Sequence, residues 1–303
     1  MRSVLTVGSV AFDSIKTPVG EASRIVGGAA TYFSIAASFF TQVRLVAVVG
    51  DDFGPEQLQV FDGREIDLSG LHRLAGETFR WKGEYSDDFN TRETIYTHLN
   101  VFEQFHPRVP DAFRDSPFVF LANIHPSLQL EVLEQVNSPD FVALDTMNLW
   151  IEGTPAELRQ ALKGVHVVII NDEEARELSG ESNLVKAARV IRGLGPKRVV
   201  IKRGENGVLM THRDGFFAAP GMPLEKVCDP TGAGDAFAGG FVGYLAAASK
   251  LSDAVVIQAV IAGSTMASFA VEDIGLDRLL RLTDTEIKAR FADFKQLTQF
   301  DAL

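Results

Sequence analysis

Short, uninterrupted apolar runs alternate along the chain with longer stretches in which apolar residues recur every three or four positions. The runs cover residues 4–7, 45–49, 118–122, 141–144, 165–170 and 199–201. None alternates polar with apolar, so each reads as a strand buried on both faces. Helical spacing falls between most of them, over residues 29–39, 126–136, 155–162, 172–178 and 184–194. Strand alternating with helix predicts an α/β fold, a mostly parallel central sheet between helices. A hairpin is expected from 208–210 and 216–218 across Thr211-His212-Arg213-Asp214-Gly215, after which the chain reads as helical to its end. One region breaks the alternation. Over residues 74–105 two polar, aromatic and β-branched runs flank an Asp87-Asp88-Phe89-Asn90 turn with no helix between them. This predicts a small β lid inserted into one α/β domain spanning residues 1–303, with residues 10–18 as a candidate further strand. Polar residues on both faces of the hairpin suit a flap over a site, a dimer surface, or both.

Composition narrows the class. A chain of 303 residues with 46% hydrophobic content can bury roughly 75% of its unfolded surface, which excludes intrinsic disorder. With 29 Lys+Arg against 40 Asp+Glu, the net charge is −11. That excludes nucleic acid or anionic membrane as partners held by broad charge, since both require basic faces. A small anion is still permitted, because backbone N–H groups hold phosphate locally. Cys228 is the single cysteine, which gives no internal disulfide or zinc spacing and suggests a reducing, cytoplasmic compartment. The N-terminal apolar run is too short for a secretory signal. Residues 254–271 carry no charge, but Gln258, Ser264, Thr265 and Ser268 interrupt them, so a buried core helix is expected and not a membrane span.

The strongest chemical signal is Asp-Pro-Thr-Gly-Ala-Gly-Asp, Asp229 to Asp235, at the head of a helical run of small and apolar residues. Gly232, Ala233 and Gly234 can turn several N–H groups toward one point at the positive end of the helix dipole, which makes an anion hole. No Lys-Ser/Thr follows the glycines as it would in a P-loop, and the dinucleotide fingerprint is absent from the chain. A carboxylate, Asp235, follows instead. An acid beside bound phosphate is unfavourable unless it works, and taking a proton from an attacking hydroxyl is such work; the bland alternative is a first-turn acid favoured by the dipole.

At these residues the sequence resembles the ribokinase, or PfkB, family of carbohydrate kinases, whose second signature is this Asp-x-Thr-Gly-Ala-Gly-Asp run. Gly8-Ser-Val-Ala-Phe-Asp13, ending the first strand, and Gly27-Gly28 before a helix are similar to the family's first signature. Asn171 and Glu174 match its Asn-x-x-Glu motif, and Lys202 to Gly207 sits at its nucleotide-binding strand and turn. The resemblance implies a ribokinase-like fold in which ATP and an alcohol acceptor meet under a β lid. Asp235 would be the base and Gly232, Ala233 and Gly234 the anion hole. Nucleotide contacts would come from Asn171, Glu174, Lys202, Arg203, Gly204, Gly207 and Thr231, with Mg²⁺ held by Glu174 through water. Asn171 and Glu174 alone also read as an ordinary helix start. Asp229 and Thr231 would help bind a monovalent cation such as K⁺. Asp13 would grip the hydroxyls of a polyol, with Gly27 and Gly28 allowing close approach; its alternative is a turn-forming Asp.

Two departures bear on the acceptor. Tyr32 stands where many sugar kinases have Asn, and Asp145 to Trp150 departs from the family's Asp-Pro-Asn-x-Arg-like segment. The expected acceptor is a sugar first and a nucleoside or inositol second, with a catalytically idle regulator as the non-enzymatic alternative. The hairpin offers rings, Phe79, Trp81, Tyr85, Phe89 and Tyr96, and polar groups, Arg80, Arg92, His98 and Asn100, whose facing alternation alone does not choose. A homodimer through the lid is the expected assembly.

Overall fold

The computed structural model describes residues 2–89 and 91–299. Its thirteen strands, in chain order, are β1 (Val4–Val7), β2 (Ala11–Thr17), β3 (Gly20–Gly27), β4 (Val43–Val49), β5 (Ile66–Arg73), β6 (Arg80–Tyr85), β7 (Arg92–His98), β8 (Phe118–Leu121), β9 (Phe141–Asp145), β10 (Val167–Asn171), β11 (Arg198–Lys202), β12 (Val208–His212) and β13 (Gly215–Ala219). Nine form one sheet in the order β13-β12-β11-β10-β9-β8-β1-β4-β5. From β11 to β5 every pairing is parallel, and only the β11–β12 and β12–β13 pairings are antiparallel, so β12 alone runs against the rest.

The unbroken apolar runs have the expected cause. In β10, Val168 and Ile170 enter one core while Val167 and Ile169 enter the other. Helices Pro126–Gln135, Pro155–Lys163, Asp172–Ser179 and Leu184–Arg192 cover the first face, and Ala29–Ala37, Ala233–Ala247 and Asp253–Ala270 cover the second. The last of these has a mean hydropathy of 1.4 over 18 residues, yet 61% of it is buried inside the protein. It is a core helix against Ala233–Ala247 and β12–β13.

Three features differ from the sequence reading. The inserted hairpin, β6 and β7, belongs to a four-stranded sheet of order β3-β2-β6-β7, in which β2 and β6 are parallel. Strand β3 went unread because its Glu21, Arg24 and neighbouring positions are largely exposed and its apolar residues are few; β5, at the edge of the large sheet, is half-exposed for the same reason. Asp13 does not end the first strand: β1 stops at Val7, and Asp13 sits inside β2 at a break in register with β3. After β13 the chain is irregular from 220 to 232 before helices resume.

Candidate active site

The site lies at the carboxyl ends of β9, β10 and β11, where a parallel sheet presents its strand ends to a crevice. Asp145 closes β9, Asn171 closes β10 and Lys202 closes β11, with Asn171 and Lys202 in register. Facing them is the start of helix Ala233–Ala247. Its N-cap, Gly232, has φ +74, and a Cβ there would stand 2.3 Å from the Tyr32 ring. Glycine is therefore required twice, for the left-handed turn and for the contact. The turn leaves the first N–H groups of the helix without helical partners, at its positive end.

Asp235 is the acid of that first turn. Burial, and next the charge of Asp145, raise its pKa to about 7 against the pull of Lys202 and Arg92. Lys202 places Nζ 3.5 Å from Asp145 Oδ2 and so close to the anion hole that a Cβ on Gly234 would lie 2.8 Å from it. Burial works against its ammonium, but Asp145, Glu174 and Asp235 outweigh that and hold its pKa above the ordinary value. Asp145 is 5% exposed, and burial raises its pKa against the attraction of Lys202.

Asn171 and Glu174 form a reciprocal cap. The Glu174 N–H donates to Asn171 Oδ1 at 2.7 Å, and the Asn171 N–H donates to Glu174 Oε2 at 2.8 Å. The helix-start reading is thus real, and it holds the Glu174 carboxylate, 7% exposed, toward Asp145 and Lys202. Burial and then Asp145 raise the Glu174 pKa to about 7. Among the described residues no three His, Cys, Asp or Glu side chains form a ready ligand cage. The donor set instead suits Mg²⁺ held largely by phosphate oxygens and water, with carboxylates outside its hydration shell.

The acceptor side is built on Asp13, 4% exposed. Its Oδ2 accepts from the Gly28 N–H at 3.3 Å, and a Cβ on Gly27 would fall 1.9 Å from that oxygen. Burial raises the Asp13 pKa to about 7 despite the Gly28 bond, with Asp229 and Asp235 adding to the rise. Gly28, at φ +92, turns the chain into helix Ala29–Ala37. Asp229 is fully buried and ties two loops, accepting from the Thr231 N–H at 2.8 Å and the Gly275 N–H at 2.9 Å. Thr231 Oγ1 in turn lies 3.0 Å from the hydroxyl of Tyr85 on β6, which brings the second sheet onto the turn.

The structure therefore gathers Asp13, Gly27, Gly28, Asn171, Glu174, Lys202, Asp229, Thr231, Gly232, Ala233, Gly234 and Asp235 around one crevice. Arg203, Gly204 and Gly207 lie in the β11–β12 turn that follows Lys202, as the sequence reading places them: the Arg203 guanidinium donates to the Asn206 carbonyl, and Gly207 at φ +80 packs against Ala219 and Pro220. Asp145 was missed as a site residue. The signal existed, an acid ending a buried strand, two places in the sheet from the strand that carries Lys202. Tyr32 was read only as a departure, yet its ring supports the Gly232 turn from below.

Comparison with known proteins identifies the family. Residues 1–281 match the model of the pfkB family carbohydrate kinases. The chain is 32% identical to a cytidine kinase of Thermococcus kodakarensis over 253 residues, 80% of this chain and 89% of that protein. It is 26% identical to a nucleoside kinase of Methanothermobacter thermautotrophicus over 303 residues, 95% of each. In fold it is similar to a Vibrio cholerae fructokinase structure holding fructose, ADP and potassium, with TM-score 0.79, 21% identity and coverage of 96% of this chain and 98% of that one. The fold is ribokinase-like, and the chain belongs to the pfkB family of carbohydrate kinases, phosphotransferases with alcohol acceptors.

Proposed function

We propose that the chain transfers the γ-phosphoryl group of ATP to a hydroxyl of a nucleoside, with the ribose held by Asp13. The observation that carries this reading is the buried Asp13 carboxylate beside Gly27. One oxygen is engaged by a backbone amide and the other is left to accept from a vicinal diol, with no side chain between the ring and the main chain. The nucleoside kinases among the relatives support a ribosyl acceptor over a free sugar, which the sequence alone had favoured.

In the proposed step the acceptor oxygen forms a bond to the γ-phosphorus while the bond from phosphorus to the ADP oxygen breaks. The electron pair leaves with ADP, and the acceptor proton passes to Asp235. The Gly232, Ala233 and Gly234 amides and Lys202 face the charge of the moving group. Glu174 would hold Mg²⁺ through water, and the bound ion would offset charge on the nucleotide phosphates. A pKa near 7 suits a base working at neutral pH. For Asp229 the support for K⁺ is thinner, because both its oxygens already accept main-chain amides.

The second sheet is the proposed lid, with Tyr85 as its latch on Thr231. Its outer strand β7 is an open edge, and Ile95, 45% exposed on it, with Leu99 just beyond, 42% exposed, supports pairing of two copies there. Sedimentation of the wild type against Ile95→Lys tests that assembly. The acceptor is tested by titrating cytidine and free ribose into Asp235→Asn loaded with ATP and Mg²⁺, a complex that cannot turn over. Cytidine is expected to bind at least ~10-fold tighter; equal or weaker binding contradicts the nucleoside reading.

A further inference from the structure

Asp145 takes no part in the step above, yet the charged groups at the phosphate end all feel it. Its Oδ2 lies 3.5 Å from Lys202 Nζ, and of the charges acting on Lys202, Glu174 and Asp235 it is in each case the strongest. Where this carboxylate stands depends on how the end of β9 is held. On one side β9 pairs with β10 as far as Asp145, but on the other it pairs with β8 only as far as Leu144, opposite Leu121. The main-chain carbonyls of Ala122 and Asp145, one residue further along each strand, lie beyond that ladder.

One side chain joins them. Gln129, fully buried on helix Pro126–Gln135, donates from Nε2 to the Ala122 carbonyl at 3.0 Å and to the Asp145 carbonyl at 3.0 Å. Two carbonyls require a donor group, so the orientation of the amide follows from its partners. No donor of the described residues meets Oε1, and both anchoring bonds are therefore those of Nε2. The loops on either side are tied as well. Trp150 Nε1, after β9, donates to Asn123 Oδ1, after β8, at 2.9 Å, and the His125 ring stands edge-on to Trp150 with 5.0 Å between centroids. His125 Nδ1 also caps the helix that carries Gln129, accepting from the Ser127 N–H at 3.2 Å. The base of the Gln129 side chain is thus fixed before it reaches the two strands.

We propose that Gln129 is a positioning residue for phosphoryl transfer, splicing β8 to β9 where their own pairing stops so that the Asp145 carboxylate stays against the Lys202 ammonium beside the anion hole. This inference rests on the site reading given under Proposed function. Gln129 exchanges no proton and acts through Asp145. The Thr146 N–H holds Asp145 Oδ1 at 2.9 Å, which leaves Oδ2 to face Lys202. Without Nε2, two buried carbonyls lose their donor, and the strands are free to part at the residue that carries the charge. Lys202, drawn to that charge, then loses its fixed place beside Gly234. Asp13 belongs to the other sheet, so acceptor binding does not depend on this splice.

The test is a double-mutant cycle read in kcat and acceptor KM with ATP, Mg²⁺ and cytidine, on wild type, Gln129→Met, Asp145→Asn and the pair together, with Asp235→Asn alongside. Methionine matches the length of Gln129 and has no donor; asparagine at 145 removes the charge and keeps the carbonyl that Gln129 binds. Gln129→Met is expected to lower kcat by ~10–10² with acceptor KM little changed. Asp145→Asn is expected to cost at least as much. In the Asp145→Asn background, Gln129→Met is expected to cost less than ~3-fold, because the charge it positioned is gone. A merely structural role does not give that pattern, since the two carbonyls lose their donor equally in both backgrounds. Should Gln129→Met not fold, Gln129→Glu at pH 6, which keeps the shape and offers at most one O–H, carries the same comparison. Wild-type kcat in Gln129→Met or in Asp145→Asn overturns the proposal. So does an equal loss in both backgrounds, or a loss confined to acceptor KM. If Asp235→Asn also keeps its activity, the site reading itself has failed. If Asp235→Asn loses activity and Gln129→Met does not, this inference alone is lost.

Discussion

The entrance of helix Ala233–Ala247 and the β2–β3–β6–β7 sheet close on the same crevice, and they hold their functional groups in different ways. At the helix entrance the main chain does the work. Gly232 is forced by its φ and by the Tyr32 ring, and Asp229 is locked by two amides, so the amides of the turn and Asp235 have little freedom. On the small sheet the groups are side chains on exposed strands, oriented by pairing. Asp13 sits at a break in register, and Tyr85, Trp81 and Arg92 are ordered by one another. Under the proposed function the difference divides the base and the anion hole, held by the main-chain turn, from the acceptor carboxylate Asp13, held on the small sheet.

Substitutions on the two sides should therefore fail differently. The largest effect is expected for Asp235→Asn, which keeps the turn and removes the base; kcat should fall by ~10²–10⁴ while ADP binding, followed by calorimetry, survives. Gly27→Ala should come next, since its Cβ must displace the Asp13 carboxylate. A shift of about 1 Å there is expected to raise acceptor KM by up to ~10² with a much smaller change for ATP. Equal loss for both substrates would merge the two regions into one.

pH provides a third comparison. Burial pushes the carboxyls of Asp13, Glu174 and Asp235 up to about 7, well above the ordinary carboxylate range. A raised carboxyl binds its proton more tightly in the folded state, so its contribution is fully present below the unfolded value and is lost as pH climbs through the folded one. The ligand-free melting temperature should accordingly fall between about pH 5 and 8, and Asp235→Asn should flatten the slope. Over the same window kcat/KM should rise, since the base must be unprotonated. The smallest effect is expected for Tyr85→Phe, which removes one hydrogen bond worth about 1 kcal/mol. It should leave kcat nearly intact and reduce the protection from proteolysis that both ligands give residues 74–105.

These two regions also differ in how far they could be read from sequence. The central sheet was legible because strands buried on both faces carry continuous apolar runs, as β1 and β10 do. The catalytic turn was legible because a left-handed N-cap and an anion hole require glycines at set positions. The small sheet hid β3 because its exposed residues leave no periodic signal. Tertiary pairing, and not local sequence, sets Arg92 over the Trp81 ring and opposite Tyr85 while Arg80 turns to Asp52 and Glu77, Asn100 bonds the Thr78 carbonyl, and His98 stacks on Tyr96. Asp145 escaped because its role comes from lying 3.5 Å from Lys202 on a strand two places away in the sheet.

The central claim is that this crevice phosphorylates a nucleoside, and acceptor-dependent ADP release tests it most directly. With ATP and Mg²⁺ at saturation, wild-type protein is given cytidine, other nucleosides, ribose, fructose and inositol in parallel. The account predicts that a nucleoside gives the highest kcat/KM, at least ~10-fold above any free sugar. Release that no acceptor raises above background, or that a free sugar or inositol raises most, contradicts it.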